Sequence, residues 1–161
     1  MRALQHSAEL LTDTGWNEEA IDTYERMLEL NPHDNQGVRT PLLALYLAEN
    51  QRAGASSVLA RYPDEEKHMG SFAWARALFL WLDEDLEAAE KALAAARKVN
   101  PFLEPYITGA RAIPEEAPEY FRPGQESEAQ TSAKVLAAAW RRHPGFGEWM
   151  RGKRSGRASG T

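Results

Sequence analysis

The feature of this sequence that most constrains its fold is an internal repeat. Residues 18–32, EEAIDTYERMLELNP, match residues 86–101, LEAAEKALAAARKVNP, and the offset at the matched positions is 69 residues. That offset is close to two units of about 34 residues with one residue inserted, so a third unit is predicted between them. The matched pairs are Ala20 with Ala89, Tyr24 with Leu93, Met27 with Ala96, and Pro32 with Pro101.

Composition indicates that the repeated units are helical. Alanine, the best helix former, occurs 26 times, whereas valine and isoleucine, which favour strands, together occur 7 times. The predicted class is all-α. The helices of the middle unit are predicted over residues 37–49 and 53–61.

The spacing within the repeat resembles the second helix of a tetratricopeptide repeat: a small residue, a large one four later, a small or medium one three later, and proline five later. Leu4, Ala8 and Leu11 stand where that family places a tryptophan, a glycine or alanine, and a tyrosine. The resemblance implies a short right-handed solenoid of about three helix pairs, over residues 1–34, 35–69 and 70–102.

The character of the chain changes after these units. Residues 103–125 are rich in proline and glycine, which favours an irregular wrapping loop. A last helix is predicted over residues 126–142, and a capping element over 126–150. Its apolar stripe consists of Ala129, Ala133, Leu136 and Trp140. Residues 151–161 contain four basic residues and no acidic one, and are predicted to form a disordered tail.

Two segments carry a more specific resemblance. The order of motifs is similar to that of a widespread, uncharacterised family of tetratricopeptide-containing proteins. The order is NPHDNQGVR at 31–39, KVNPFLEPYITG at 98–109, a Pro-rich loop ending in Pro-Gly, a helix and a final tryptophan. KVNPFLEPYI and the loop after it also resemble the suppressor-of-tumorigenicity family. Neither resemblance implies a catalytic activity.

The resemblance to tetratricopeptide repeats also implies a concave groove that binds a partner peptide or helix. Lysine and asparagine, which members binding peptide carboxylates carry at the fifth and ninth positions of the first repeat, are replaced here by Gln5 and Glu9. The predicted groove residues are Gln5, Glu9, Arg39, Leu43, Tyr46, Trp74, Leu78 and Trp81.

Two of these assignments have structural alternatives. Arg39 is either a cation facing a ligand or the partner of a neighbouring acid, while Asp34 caps the following helix. Residues 71–82, SFAWARALFLWL, are apolar on nearly every face. They are covered either by the helix at 126–142 or by a binding partner.

Chemistry beyond binding has no residues to support it. No cysteine is present, and the four histidines lack the spacing of metal ligands. There is no phosphate-binding glycine loop and no nucleophile motif. We therefore expect no enzyme activity, metal or cofactor.

The sequence thus predicts a protein-interaction module, an adaptor or assembly subunit. The alternative is a nucleic-acid accessory protein that uses the basic residues 151–161, although the net charge of −5 disfavours nucleic-acid binding. No apolar run resembles a signal or a membrane span, so a soluble cytoplasmic protein is expected.

Overall fold

The chain is helical throughout the part that the structure describes. The computed structural model covers residues 1–159, with side chains described through Lys153, and contains no strand within that range. The helices are α1 (Arg2–Asp13), α2 (Asn17–Leu30), α3 (Arg39–Ala48), α4 (Arg52–Arg61), α5 (Glu65–His68), α6 (Gly70–Leu82), α7 (Leu86–Val99), α8 (Glu104–Thr108), α9 (Glu126–Arg142) and α10 (Pro144–Ser159).

Six of these helices form three hairpins: α1 packs on α2, α3 on α4, and α6 on α7. The three connecting turns have the same geometry, because the middle residue of each has a left-handed φ: 86° at Gly15, 54° at Asn50 and 60° at Glu84. In each turn the next backbone N–H reaches back to the carbonyl five residues earlier, at 2.8 to 3.1 Å. Gly15 and Glu84 differ by 69 residues, the offset found in the sequence.

The second and third hairpins are joined through α3 and α6, which form the centre of the core. Every side chain from Leu42 to Ala48 is buried, as are those from Phe72 to Ala75. Helix α3 contacts α2, α4, α6 and α9, while α6 contacts α7, α3, α4, α5 and α9. Neighbouring helices cover α3 and α6 on nearly all sides, and this removes the apolar residues on nearly all of their faces from water.

The predicted helices at 37–49, 53–61, 71–82 and 126–142 are confirmed as α3, α4, α6 and α9. The Pro-rich segment contains the short helix α8, and turns or irregular backbone from Gly109 to Gln125. None of the helices described is long and apolar enough to cross a bilayer.

The C-terminus differs from the expectation of a disordered tail beginning at residue 151. Helix α9 ends before His143 as predicted, but α10 then continues to Ser159. Phe146 and Met150 hold the first turns of α10 against the core, since they lie four residues apart on one face of the helix and are both buried. Residues 160 and 161 lie outside the described part of the chain.

Candidate interaction groove

Helix α9 lies along α3 and α6 and runs in the same direction as α6. At its start, the Glu128 carboxylate accepts a hydrogen bond from the backbone N–H of Gly70, the first residue of α6, at 3.3 Å. Just past its end, Gly145 lies against the Trp81 ring near the end of α6. His143 donates from Nε2 to the carbonyl of Leu47 near the end of α3, at 2.8 Å. Helix α9 therefore occupies the groove between these two helices.

Four of the six predicted groove residues of α3 and α6 are buried. The exposed fractions are 0% for Leu43, 7% for Tyr46, 1% for Trp74 and 4% for Leu78. Trp74 and Leu78 line a small internal void together with α9 and α10 side chains, those of Leu136, Trp140 and Phe146. In this structure Trp74 and Leu78 belong to the core and are not presented to a partner, because the apolar stripe of α9 covers them.

Trp81 is half-buried for a related reason. Its ring meets Phe146 of α10 edge to face, with ring centroids 5.9 Å apart and an interplanar angle of 71°. A Cβ placed on Gly145 would lie 3.0 Å from the Trp81 ring, so this glycine permits the close approach of α10.

Arg39 is part of an ion-pair cluster at the start of α3. Its guanidinium contacts the Asp34 carboxylate at 2.9 Å and the Glu65 carboxylate at 3.2 Å, and it lies 5.1 Å from the centre of the Tyr62 ring. Asp34 is buried and also accepts hydrogen bonds from the backbone N–H groups of Val38 and Arg39, at 2.8 and 3.0 Å. Arg39 therefore joins α3 to α5, as the structural alternative requires.

Tyr46 connects the first two hairpins. Its ring packs on Gly54 of α4, where an added Cβ would lie 2.4 Å from the ring. Its hydroxyl donates a hydrogen bond to the Glu25 carboxylate of α2. Burial raises the pKa of Glu25, and the negative charges of Asp22 and Glu29 raise it further.

The groove residues of α1 differ from the rest because α9 does not cover them. Helix α9 packs on α3, α6, α8 and α10, leaving Gln5 half-buried and Glu9 exposed. With the 69-residue offset, Gln5 and Glu9 correspond to Trp74 and Leu78. The groove is thus apolar where α9 fills it and polar where it is open.

A buried carboxylate fixes the start of α9. Glu128 is 1% exposed and accepts hydrogen bonds from the Asn100 side-chain amide at 2.8 Å and from the Gly124 N–H at 3.1 Å, besides that from Gly70. The Asn100 carbonyl in turn accepts from the Trp74 indole N–H at 3.0 Å. Sequence reasoning missed this cluster. The sequence signals for it are the Asn100-Pro101 pair after the repeated helix and the acidic residue that precedes Ala129 of the apolar stripe.

A second polar cluster joins α8 to α9. The Glu126 carboxylate accepts hydrogen bonds from the Tyr106 hydroxyl and from the Arg111 guanidinium, each at 2.5 Å. The Tyr106 hydrogen bond, followed by the Arg111 contacts, holds the pKa of Glu126 below its usual value. Arg111 also lies 6.0 Å from the centre of the Tyr106 ring.

Within the described side chains, Arg151 and Lys153 of the predicted tail contact the rest of the chain. Arg151 donates from Nη1 to the carbonyl of Thr108, which ends α8, at 2.8 Å. Lys153 forms an ion pair with Glu90 of α7. Both side chains attach α10 to the body of the protein.

No cluster of three or more acidic or histidine side chains able to hold a metal ion occurs in the described residues. No protein-family model matches the chain, and comparison with curated proteins and with solved structures gives no match.

Proposed function

We propose that the chain is a non-catalytic protein-interaction module, an adaptor or assembly subunit, built from tetratricopeptide-like helix pairs. The three hairpins with equivalent turns support this architecture, as does the sequence resemblance. Helices α8 to α10 complete the fold at its C-terminal end, since α9 covers the apolar faces of α3 and α6.

The observation that carries the proposal is the change of chemistry along the groove. Trp74 and Leu78 are apolar beneath α9, whereas the equivalent Gln5 and Glu9 are polar and uncovered. A permanent occupant favours apolar contact, while a surface that meets water between binding events favours polar side chains. The partner peptide or helix therefore binds against α1, in the open part of the groove that α9 leaves free.

The same helix pair exposes large apolar side chains able to anchor a partner. The exposed fraction is 56% for Leu10 and 60% for Trp16. Tryptophan is enriched at the energetic centres of protein interfaces, where it brings a large area out of water. Trp16 is the residue expected to contribute most to partner affinity.

Site-specific photo-crosslinking tests this assignment. A benzophenone side chain replaces Glu9 in one variant and the exposed Glu87 of α7 in a matched control, and both are irradiated in the native cell. We expect proteins crosslinked from position 9 that are absent from position 87 and are reduced when Trp16 is changed to alanine. The same proteins captured from both positions, or none from position 9, would overturn the proposal.

A further inference from the structure

A cleft of about 570 Å³ lies on the side of the molecule formed by α8 and the junction of α9 with α10. One wall is the chain from Tyr106 to Ile113, and the other includes Arg141, Pro144 and Gly147. This volume falls within the range of about 300 to 1,000 Å³ that is typical of ligand-binding sites.

The charge of this cleft is opposite to that of the protein. Three arginines, Arg111, Arg141 and Arg151, line it, and none of the lining residues is acidic, although the chain has a net charge of −5. Arg111 is held from outside the lining by Glu126, and Arg151 by the Thr108 carbonyl. A guanidinium has five N–H donors, so each of these two keeps donors beyond those bonds. Arg141 has no carboxylate partner among the described side chains.

Aliphatic side chains also line the cleft. Ile107, Ala112 and Ile113 line it, and Gly147 brings the backbone of α10 close to the Ile107 carbonyl. Arg111 lies over the Tyr106 ring, and Trp140 is only 8% exposed, so neither aromatic offers an open face on which a nucleotide base stacks. The surface suits an aliphatic side chain flanked by negative charges.

We propose that this cleft binds an acidic peptide segment, in which carboxylates flank one apolar side chain. The carboxylates pair with the guanidinium groups, whose planar donors match carboxylate oxygens, and the apolar side chain contacts Ile107 and Ile113. The site is separate from the open groove at α1, and its test uses the purified chain with defined probes. If crosslinking from position 9 fails, the proposal for the cleft is unaffected. If the cleft binds no peptide, the proposal for the groove at α1 is unaffected.

The test compares short fluorescent peptides containing Glu-Asp-Leu-Asp-Glu with otherwise identical peptides carrying the corresponding amides, at physiological ionic strength. We expect the acidic peptide alone to bind, and the backbone amide resonances of Gly109 and Gly147 to shift during titration while those of the distant Gly15 and Gly37 do not. No saturable binding, or shifts spread over all four glycines, would overturn the proposal.

A matched pair of variants locates the contact. Arg141→Gln removes a cleft arginine, whereas Arg142→Gln removes its exposed neighbour, which faces Glu49 at 3.8 Å and does not line the cleft. We expect Arg141→Gln to weaken peptide binding about fivefold, in line with the loss of one exposed ion pair. We expect Arg142→Gln to leave the peptide affinity unchanged. Equal effects would indicate attraction to the basic helix end as a whole and would refute the site. Displacement of the peptide by inorganic phosphate at equal concentration would assign the cleft to small anions instead.

Discussion

The side-chain amide of Asn100 donates a hydrogen bond of 2.8 Å to the buried carboxylate of Glu128. The two residues stand directly after α7 and near the start of α9, with the whole Pro-rich segment between them. This contact, with those from Gly70 and Gly124, surrounds the carboxylate with N–H donors, which stabilise a charge removed from water.

Replacing Asn100 with alanine is expected to destabilise the fold by about 3 kcal/mol, because Glu128 then keeps its buried charge with one donor fewer. Urea unfolding measures the loss. The exposed Asn35→Ala provides the control and is expected to change the free energy of unfolding by less than about 0.5 kcal/mol. Equal effects of the two substitutions would contradict a fixing role for Asn100.

Trp140→Ala is expected to cost about 3 kcal/mol, since the ring is 8% exposed and lies against Trp74 and Leu78 in the core. Arg142→Ala, at the exposed end of the same helix, serves as the control. Ending the chain after Gly124 removes α9 altogether and is expected to lower the melting temperature and cause aggregation. An unchanged melting temperature in the shortened protein would show that α9 is not an integral part of the fold.

Arg39→Gln is expected to reduce the free energy of unfolding by about 1 to 2 kcal/mol, because Asp34 is buried and loses its charged partner. The double variant Arg39→Glu with Tyr46→Ala is expected to unfold. It is not expected to stay folded and lose only the binding of a partner. Circular dichroism during thermal melting distinguishes the two results, with the exposed Arg26→Gln as control. A double variant that melts like the parent protein would restore Arg39 as a ligand-binding residue.

Acid is expected to weaken the contact between α8 and α9. The pKa of Glu126 in the folded protein is below its ordinary value of 4.5, so its ionised form is stabilised by folding. That contribution is fully present above about pH 4.5 and is lost as the pH falls through the lower folded value. Glu126→Gln should therefore be less stable than the parent at neutral pH, with a difference that shrinks in acid. Urea unfolding at a series of pH values measures it, and a constant difference would be inconsistent with this coupling.

Local pattern was sufficient to predict the longer helices before residue 143, but not the short helices α5 and α8. The stripe of Ala129, Ala133, Leu136 and Trp140 predicted α9 with its observed ends, because helical periodicity is a property of neighbouring residues. Of the two alternatives for residues 71–82, packing against the helix at 126–142 is the one that the structure contains.

The groove residues could not be predicted in the same way. Trp74 is exposed or buried depending on where α9 packs after the irregular segment 109–125. The spacing of residues within either helix does not determine that position. The helical end of the chain was missed for a similar reason, since Phe146 and Met150 stabilise α10 only where α6 and α9 receive them.

The position of α9 late in the chain has a consequence for biosynthesis. The ribosome releases α3 and α6 well before it has made residues 126–142, so a nascent chain carries Trp74 and Leu78 without their cover for as long as that intervening stretch takes to translate. At about 5 to 20 residues per second this interval lasts seconds, far longer than helix formation. During those seconds apolar side chains that the finished fold buries are open to water, which is the condition under which nascent chains aggregate.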